Sequence, residues 1–277
     1  MSGTSLPSID TILKSTDVLS APDATNKVVR VGESLAVKYG GQVTLLEAQN
    51  TTFVAENSNI SVPKIHGTLT DDTTRRTFIV MDFVPGEPLS TAWPNLTSLE
   101  KNDVTAQIRK AMVDLRNIPS PGYIGSVARQ PCADGVFYVM EDPENPAISG
   151  PFDTEHDMNQ GMLRKLGLTE KHSYVDFVRT LISTTLHGHR VFFTHGDLQP
   201  KNIMVQRTDS TAEEASSMKV TIIDWEISGW YPEYWEFCNS TIVARFKSEW
   251  LDVVRSVMQS YPQEYLMMQY VRNLMFW

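Results

Sequence analysis

Apolar and polar positions follow two different rhythms along this chain, and the change of rhythm divides it. Up to about residue 84, short apolar runs recur at 28–31, 35–39 and 77–84, each bounded by turn-forming residues. Runs of this length read as buried strands. Val43-Thr44-Leu45-Leu46-Glu47-Ala48-Gln49, followed by Phe53 and Val54, has helical spacing instead, so one helix is expected among the strands. A helical turn is expected earlier, at Ile9–Leu13. Residues 85–94 are rich in Pro and Gly and read as a linker. Beyond it the rhythm is mainly helical. Thr97-Ser98-Leu99-Glu100 has the form of a capping box, and Val104, Ile108, Met112 and Leu115 continue one apolar stripe from it. A second helix is expected from Ser173 to His187, with Tyr174, Phe177, Val178, Leu181 and Ile182 inward, and Leu251 to Val271 read as closing helices. Residues 136–139 read as a short strand in a loop-rich region. The expected fold class is α+β, with a small β-rich lobe over residues 1–84 and a larger, mainly helical lobe over 85–277.

Chemistry is concentrated at one place. Val191-Phe192-Phe193 and Ile203-Met204-Val205 read as strands, and between them runs Thr194-His195-Gly196-Asp197-Leu198-Gln199-Pro200-Lys201-Asn202. A loop anchored at both ends can hold polar side chains with little freedom. A further strand at 219–223 ends at Asp224, and the polar segment 206–218 reads as a hairpin that returns Asp224 beside Asn202. Two oxygen ligands would then face one hard cation, which suits magnesium. An Asp in a Gly-containing loop is by itself usually a turn former. The whole string followed by Asp224 points to phosphoryl transfer, where one carboxylate receives a hydroxyl proton and others hold the metal. Lys38 lies inside an apolar strand, where a lone ammonium is costly, so it needs an acidic partner or a phosphate. Glu47 follows soon after.

His195-Gly196-Asp197-Leu198, with Asn202 five positions after Asp197, resembles the catalytic loop of the aminoglycoside phosphotransferase family. That family shares a bilobal protein-kinase-like fold with the choline kinases. Protein kinases differ at Gly196, where they carry Arg, at Gln199, and in having Asp-Phe-Gly where Asp224-Trp225-Glu226 stands; no Ala-Pro-Glu element follows. The resemblance implies a phosphotransferase acting on a hydroxyl of a small molecule, with ATP and Mg2+ as cofactors. It implies Asp197 as catalytic base and Asn202 and Asp224 as metal ligands. It implies that Lys38 meets the α- and β-phosphates, held by Glu47, that Met81 lies behind the adenine, and that the backbone of Asp82 and Val84 meets its edge. Gly150-Pro151-Phe152-Asp153-Thr154-Glu155 resembles a phrase of fungal members. One part is missing: no glycine-rich loop precedes Lys38, and residues 20–26 are the only candidate cover for the phosphates. A nucleotide-binding pseudokinase with a regulatory role therefore stands as the alternative, with a protein kinase behind it.

Bulk properties narrow the partners. The chain has 277 residues, 41% hydrophobic and 21% charged, enough for two lobes with cores. A net charge of −9 argues against nucleic acid, because no basic stripe can release counterions, and it favours a cationic acceptor. Cys132 and Cys238 read as reduced thiols, though one bridge stays open. With no leader and no long apolar run, a cytoplasmic monomer without membrane contact is expected. His187, His189 and His195 lack zinc spacing. The run Trp230-Tyr231-Pro232-Glu233-Tyr234-Trp235-Glu236 allows two readings: a buried anchor for the larger lobe, which is favoured, or a wall for a cationic substrate.

Overall fold

The computed structural model describes residues 6–143, 145–208, 217–242 and 248–276. Its first part is a four-stranded antiparallel sheet of β1 (Lys27–Val31), β2 (Leu35–Gly40), β3 (Ile65–Thr70) and β4 (Thr77–Asp82), in the order β1-β2-β4-β3. The two-residue period of a strand sorts side chains to opposite faces. Val37 and Tyr39 of β2 join Val29, Phe78 and Val80 in a small core under α1 (Ile9–Leu13). Lys38 points the other way, with its register partner Ile79, toward α2 (Leu45–Asn57). The buried cluster on this side of the sheet is small, made of Val43, Ala48 and Ile79 with Ile65 and Met81 packed against it. By contrast Val54 of α2 and Ile60 just beyond it belong to the large core of the second part, and Leu46 and Phe53 pack against that core.

The second part carries two small sheets. β7 (Ile203–Thr208) lies between β5 (Glu87–Pro88) and β8 (Ser217–Ile222), while β6 (Val191–Thr194) pairs with β9 (Gly229–Pro232). The strands expected on either side of the Asp197 loop thus exist but belong to different sheets. The centre of the expected hairpin, residues 209–216, lies outside the described residues. Around the sheets pack α3 (Leu89–Ala92), α4 (Ser98–Asn117), α5 (Pro146–Ser149), α6 (Glu155–Leu166), α7 (His172–Thr185), α8 (Trp235–Ile242), α9 (Ser248–Val257) and α10 (Pro262–Met275). Helix α4 opens with the expected capping box. The Glu100 N–H donates to Thr97 Oγ1 at 3.3 Å, and the Thr97 N–H donates to Glu100 Oε2 at 2.8 Å. Among the described residues no helix is long and apolar enough to cross a membrane.

Two local expectations are corrected. Residues 135–137 form a single 3-10 turn, not a strand. Asp134 opens it, its side chain accepting from the Val136 N–H and its carbonyl from the Phe137 N–H at 2.9 Å, bonds that close a turn and leave no extended run to pair. Phe177 is not inward: Val175, Val178 and Ile182 define the buried stripe of α7, and Phe177 falls off it, 54% exposed. Both cysteines are buried and unbridged.

Arg207 Nε donates to Glu100 Oε1 at 2.7 Å. Together with the Thr97 N–H this bond holds the Glu100 carboxyl down at about 2. A carboxyl depressed in the folded state adds stability above its ordinary value and loses it as pH falls through the depressed one. Glu100→Gln is therefore expected to unfold at lower urea than the parent at pH 7, with the difference closing between pH 4.5 and about 2. A gap that stays constant over that range would show that the carboxylate is not the source of the effect.

Candidate active site

Strand β2 and helix α2 bring Lys38 and Glu47 together, as their sequence neighbourhood suggested. Lys38 Nζ is 2.8 Å from Glu47 Oε2, 2.6 Å from Asp224 Oδ1 and 2.9 Å from Glu226 Oε2. The ammonium donates hydrogen bonds to Asp224 and Glu226, and its contact with Glu47 is an ion pair. The Lys38 side chain is 9% exposed, so these interactions act with little screening. Burial opposes its charge, but the three carboxyl groups outweigh burial and hold its pKa above the usual lysine range. Burial acts on Glu47 in the other direction, pushing its carboxyl up to about 7 against the pull of Lys38. Glu47, Asp224 and Glu226 place ligand oxygens within 4.8 Å of one another.

The second half of the site is the loop between β6 and β7. Asn202 Nδ2 donates to the Asp197 backbone carbonyl at 2.9 Å and to its carboxylate Oδ2 at 2.8 Å. Gln199 Nε2 donates to the other carboxylate oxygen, and Lys201 Nζ lies 3.4 Å from Oδ2. With the amide protons of Asn202 engaged by Asp197, its Oδ1 remains as an acceptor. The β7–β8 register sets Ile203 opposite Ile222, and the Ile223 N–H donates to the Asn202 carbonyl at 2.9 Å. Asn202 thus lies beside Ile223, the residue before Asp224, at one end of the β7–β8 pair. The donor set consists of hard oxygens, and one ammonium faces three carboxyl groups, so these residues fit a hard divalent cation.

Buried polar groups shape the loop from behind. His195 Nδ1 accepts from the Asp197 N–H at 3.1 Å, and Nε2, 3.0 Å from the Ile223 carbonyl, acts as the donor there, which fixes a neutral tautomer. Glu236 Oε2 accepts from the His195 N–H at 2.6 Å. Asn239 Nδ2 donates to the Gly196 carbonyl at 2.7 Å and to Asp134, which also pairs with Arg272 at 2.6 Å. Burial works against the Asp134 charge, but Arg272 outweighs it and keeps that carboxyl below its ordinary range. Gly196 has φ +85°, and a Cβ built there would stand 2.9 Å from the Ile227 carbonyl oxygen. That is a physical reason for Gly at one of the positions where the loop departs from protein kinases. Asp224 is also left-handed, at φ +67°, a conformation that costs a non-glycine residue roughly 1–3 kcal/mol and persists only where its surroundings hold it.

The residues expected at the adenine edge are only partly free. Met81 lies in β4 opposite Ala36. The Asp82 N–H is already bonded to the Lys64 carbonyl at 2.9 Å, which removes it as a donor to a base. Val84, beyond the strand end, makes no backbone hydrogen bond among the described residues. The aromatic run 230–235 is core: Trp230, Tyr231, Tyr234 and Trp235 are at most 3% exposed, which overturns the substrate-wall reading and leaves the anchor. Glu236, Asn239 and the Asp134–Arg272 pair were not found from the sequence. The one signal for Glu236 was an acidic residue inside an aromatic run.

Two variants test this construction. Gly196→Ala forces a Cβ onto backbone and is expected to destabilise the protein by roughly 1–3 kcal/mol in urea unfolding. Lys38→Met leaves three carboxyl groups facing one another and is expected to cost roughly 3–5 kcal/mol. A neutral Lys38→Met would mean that the carboxyl groups do not depend on the ammonium.

A family model described as the phosphotransferase enzyme family matches residues 42–261. No curated protein aligns significantly with the chain. Among solved structures, aminoglycoside phosphotransferase APH(4)-Ia is 13% identical with a TM-score of 0.56, covering 94% of this chain and 82% of its own. A thermostable mutant of it, in ternary complex with ADP and hygromycin B, is 12% identical with a TM-score of 0.54, covering 94% and 80%. The GDP and kanamycin complex of APH(2")-IIia is 11% identical with a TM-score of 0.55, covering 94% and 84%. These likenesses show the bilobal, kinase-like α+β fold that the sequence led us to expect.

Proposed function

The chain belongs to the phosphotransferase enzyme family, and on that footing we propose that it transfers the terminal phosphoryl group of Mg-ATP to a hydroxyl of a small molecule. The observation that carries the reading is the meeting of Lys38 with Asp224, 186 positions later, at 2.6 Å, beside a loop that aims Asp197 with two amide side chains. Neighbours in complex with ADP and hygromycin B, or with GDP and kanamycin, support a nucleotide and a polyhydroxylated acceptor. The net charge of −9 favours an acceptor that is a cation.

In this reading Asp197 aligns the acceptor hydroxyl and takes its proton as the acceptor oxygen bonds to the γ-phosphorus and the bond from that phosphorus to the departing ADP breaks, the task that its hydrogen bonds from Asn202 and Gln199 prepare it for. Lys38 neutralises phosphate oxygens. Three carboxyl groups already contact its ammonium, so a phosphate would exchange with one of them, and Glu226, with 40% side-chain exposure, gives way at least cost. Asn202 and Asp224 would hold the magnesium, which when bound supplies positive charge against the developing phosphate charge. Met81 and the backbone of Val84 would bound the adenine, with Asp82 offering no N–H to it. A nucleotide-binding pseudokinase is the second reading, favoured by one feature: residues 20–26, ahead of β1, contain no glycine.

Transfer of labelled phosphate from Mg-ATP to a panel of small hydroxylated amines separates the two. Asp197→Asn is expected to lower turnover by roughly 10²–10⁴-fold while nucleotide binding persists. Wild-type protein that binds Mg-ATP but transfers to nothing in the panel would favour the pseudokinase. Full turnover by Asp197→Asn would remove Asp197 as the base.

A further inference from the structure

Asp224 is bent into a left-handed conformation, so something must fix the chain on both sides of it. On the N-terminal side the hairpin does this through the Ile223 N–H bond to Asn202, with His195 on the Ile223 carbonyl. On the C-terminal side the fixing group comes from another part of the molecule. Asn50 of α2 is fully buried, and its Nδ2 donates to the Trp225 carbonyl at 2.8 Å and to the Ser228 carbonyl at 3.2 Å. Among the described residues its Oδ1 has no partner, so the side chain serves here as a donor to two carbonyls. Asn50 lies three residues after Glu47, one turn along the same helix, and Glu47 contacts the lysine that contacts Asp224. One rigid helix therefore grips both Lys38 and the segment carrying Asp224.

We propose that Asn50 is a positioning residue for the metal-binding segment, setting the direction of Asp224 through the backbone of Trp225 and Ser228. Its bearing on metal rests on the phosphotransferase reading; its hold on the segment does not. Asn50→Leu keeps the volume, takes the donor from the Ser228 carbonyl and leaves the Trp225 carbonyl only the longer bond from the Ser228 N–H at 3.4 Å. A serine removes only reach, and a histidine restores a ring N–H in a similar place. Asn159 of α6 is a matched control: it is buried, donates Nδ2 to the Leu186 carbonyl at 2.7 Å, and has an unpartnered Oδ1.

Two measurements on the full chain test the proposal. Hydrogen exchange of residues 222–229 should accelerate at least about fivefold in Asn50→Leu and Asn50→Ser and return toward wild type in Asn50→His. The Mg2+ concentration for half-maximal AMP-PNP binding should rise about tenfold or more in Asn50→Leu and Asn50→Ser. Asn159→Leu should lower the melting temperature and leave both readouts alone. Unchanged exchange at 222–229 in the Asn50 variants overturns the proposal, as does an equal Mg2+ effect in Asn159→Leu. If wild-type nucleotide binding shows no Mg2+ dependence, the functional reading loses its metal, and the exchange result alone decides the role of Asn50.

Discussion

A single ammonium group holds this molecule's chemistry in register. Lys38 reaches out of the sheet toward α2 and gathers carboxyl groups from that helix and from the segment after β8. Burying a charge is costly unless it is paired, and the pairing here joins pieces of chain almost two hundred residues apart. Everything else at the site stands in relation to that contact. The hairpin brings Asn202 beside Ile223, the residue before Asp224, Asn202 aims Asp197, and a buried set of Glu236, Asn239, Asp134 and Arg272 keeps the loop behind Asp197 from shifting. Bonds in such a buried set rigidify the loop, because each one lost would leave a further buried group unpaired beside Glu236 Oε1 and Arg272 Nε, which have no partner among the described residues.

Much of this was legible in the sequence because the relevant residues announce themselves by contrast. Lys38 interrupts an apolar strand, and Asp197, Asn202 and Asp224 stand at the ends of apolar runs, so the chemistry and the two-part architecture could be read together. The capping box at Thr97 and Glu100 was legible for a similar reason: its bonds are local, and local bonds leave a fixed spacing. What escaped depends on partners distant in sequence. Asn50 looks like any polar residue on a helix; only its meeting with carbonyls 175 and 178 positions away distinguishes it. Glu236 ends an aromatic run whose burial was expected and Asn239 follows three residues later, but their hydrogen bonds go to loop backbone, which no side-chain pattern encodes. The misread strand at 136–139 and the misplaced Phe177 share one cause. A short apolar run does not reveal which of its members the tertiary core will choose.

The site also shows how little the fold constrains the acceptor. The groups proposed to hold phosphate and receive a proton are fixed by paired strands and buried amides. The surfaces around them are exposed side chains such as Lys201 and Glu226, which can vary without disturbing that frame. Identities of 11–13% to structures of the same fold fit this division.

The two-part appearance is misleading in one respect. Helix α2 is contiguous in sequence with the first sheet, yet Val54, and Ile60 beyond it, lie inside the larger core, and Phe53 packs tilted against Phe193 and edge-on against Trp230. Cutting the chain at the linker would not yield two independent globules. The larger fragment would keep an apolar trough where the helix had been, and the smaller would expose a greasy helix with little to cover it. The protein is therefore built to melt as one cooperative body, and a proteolytic nick near residue 85 should leave the two pieces associated.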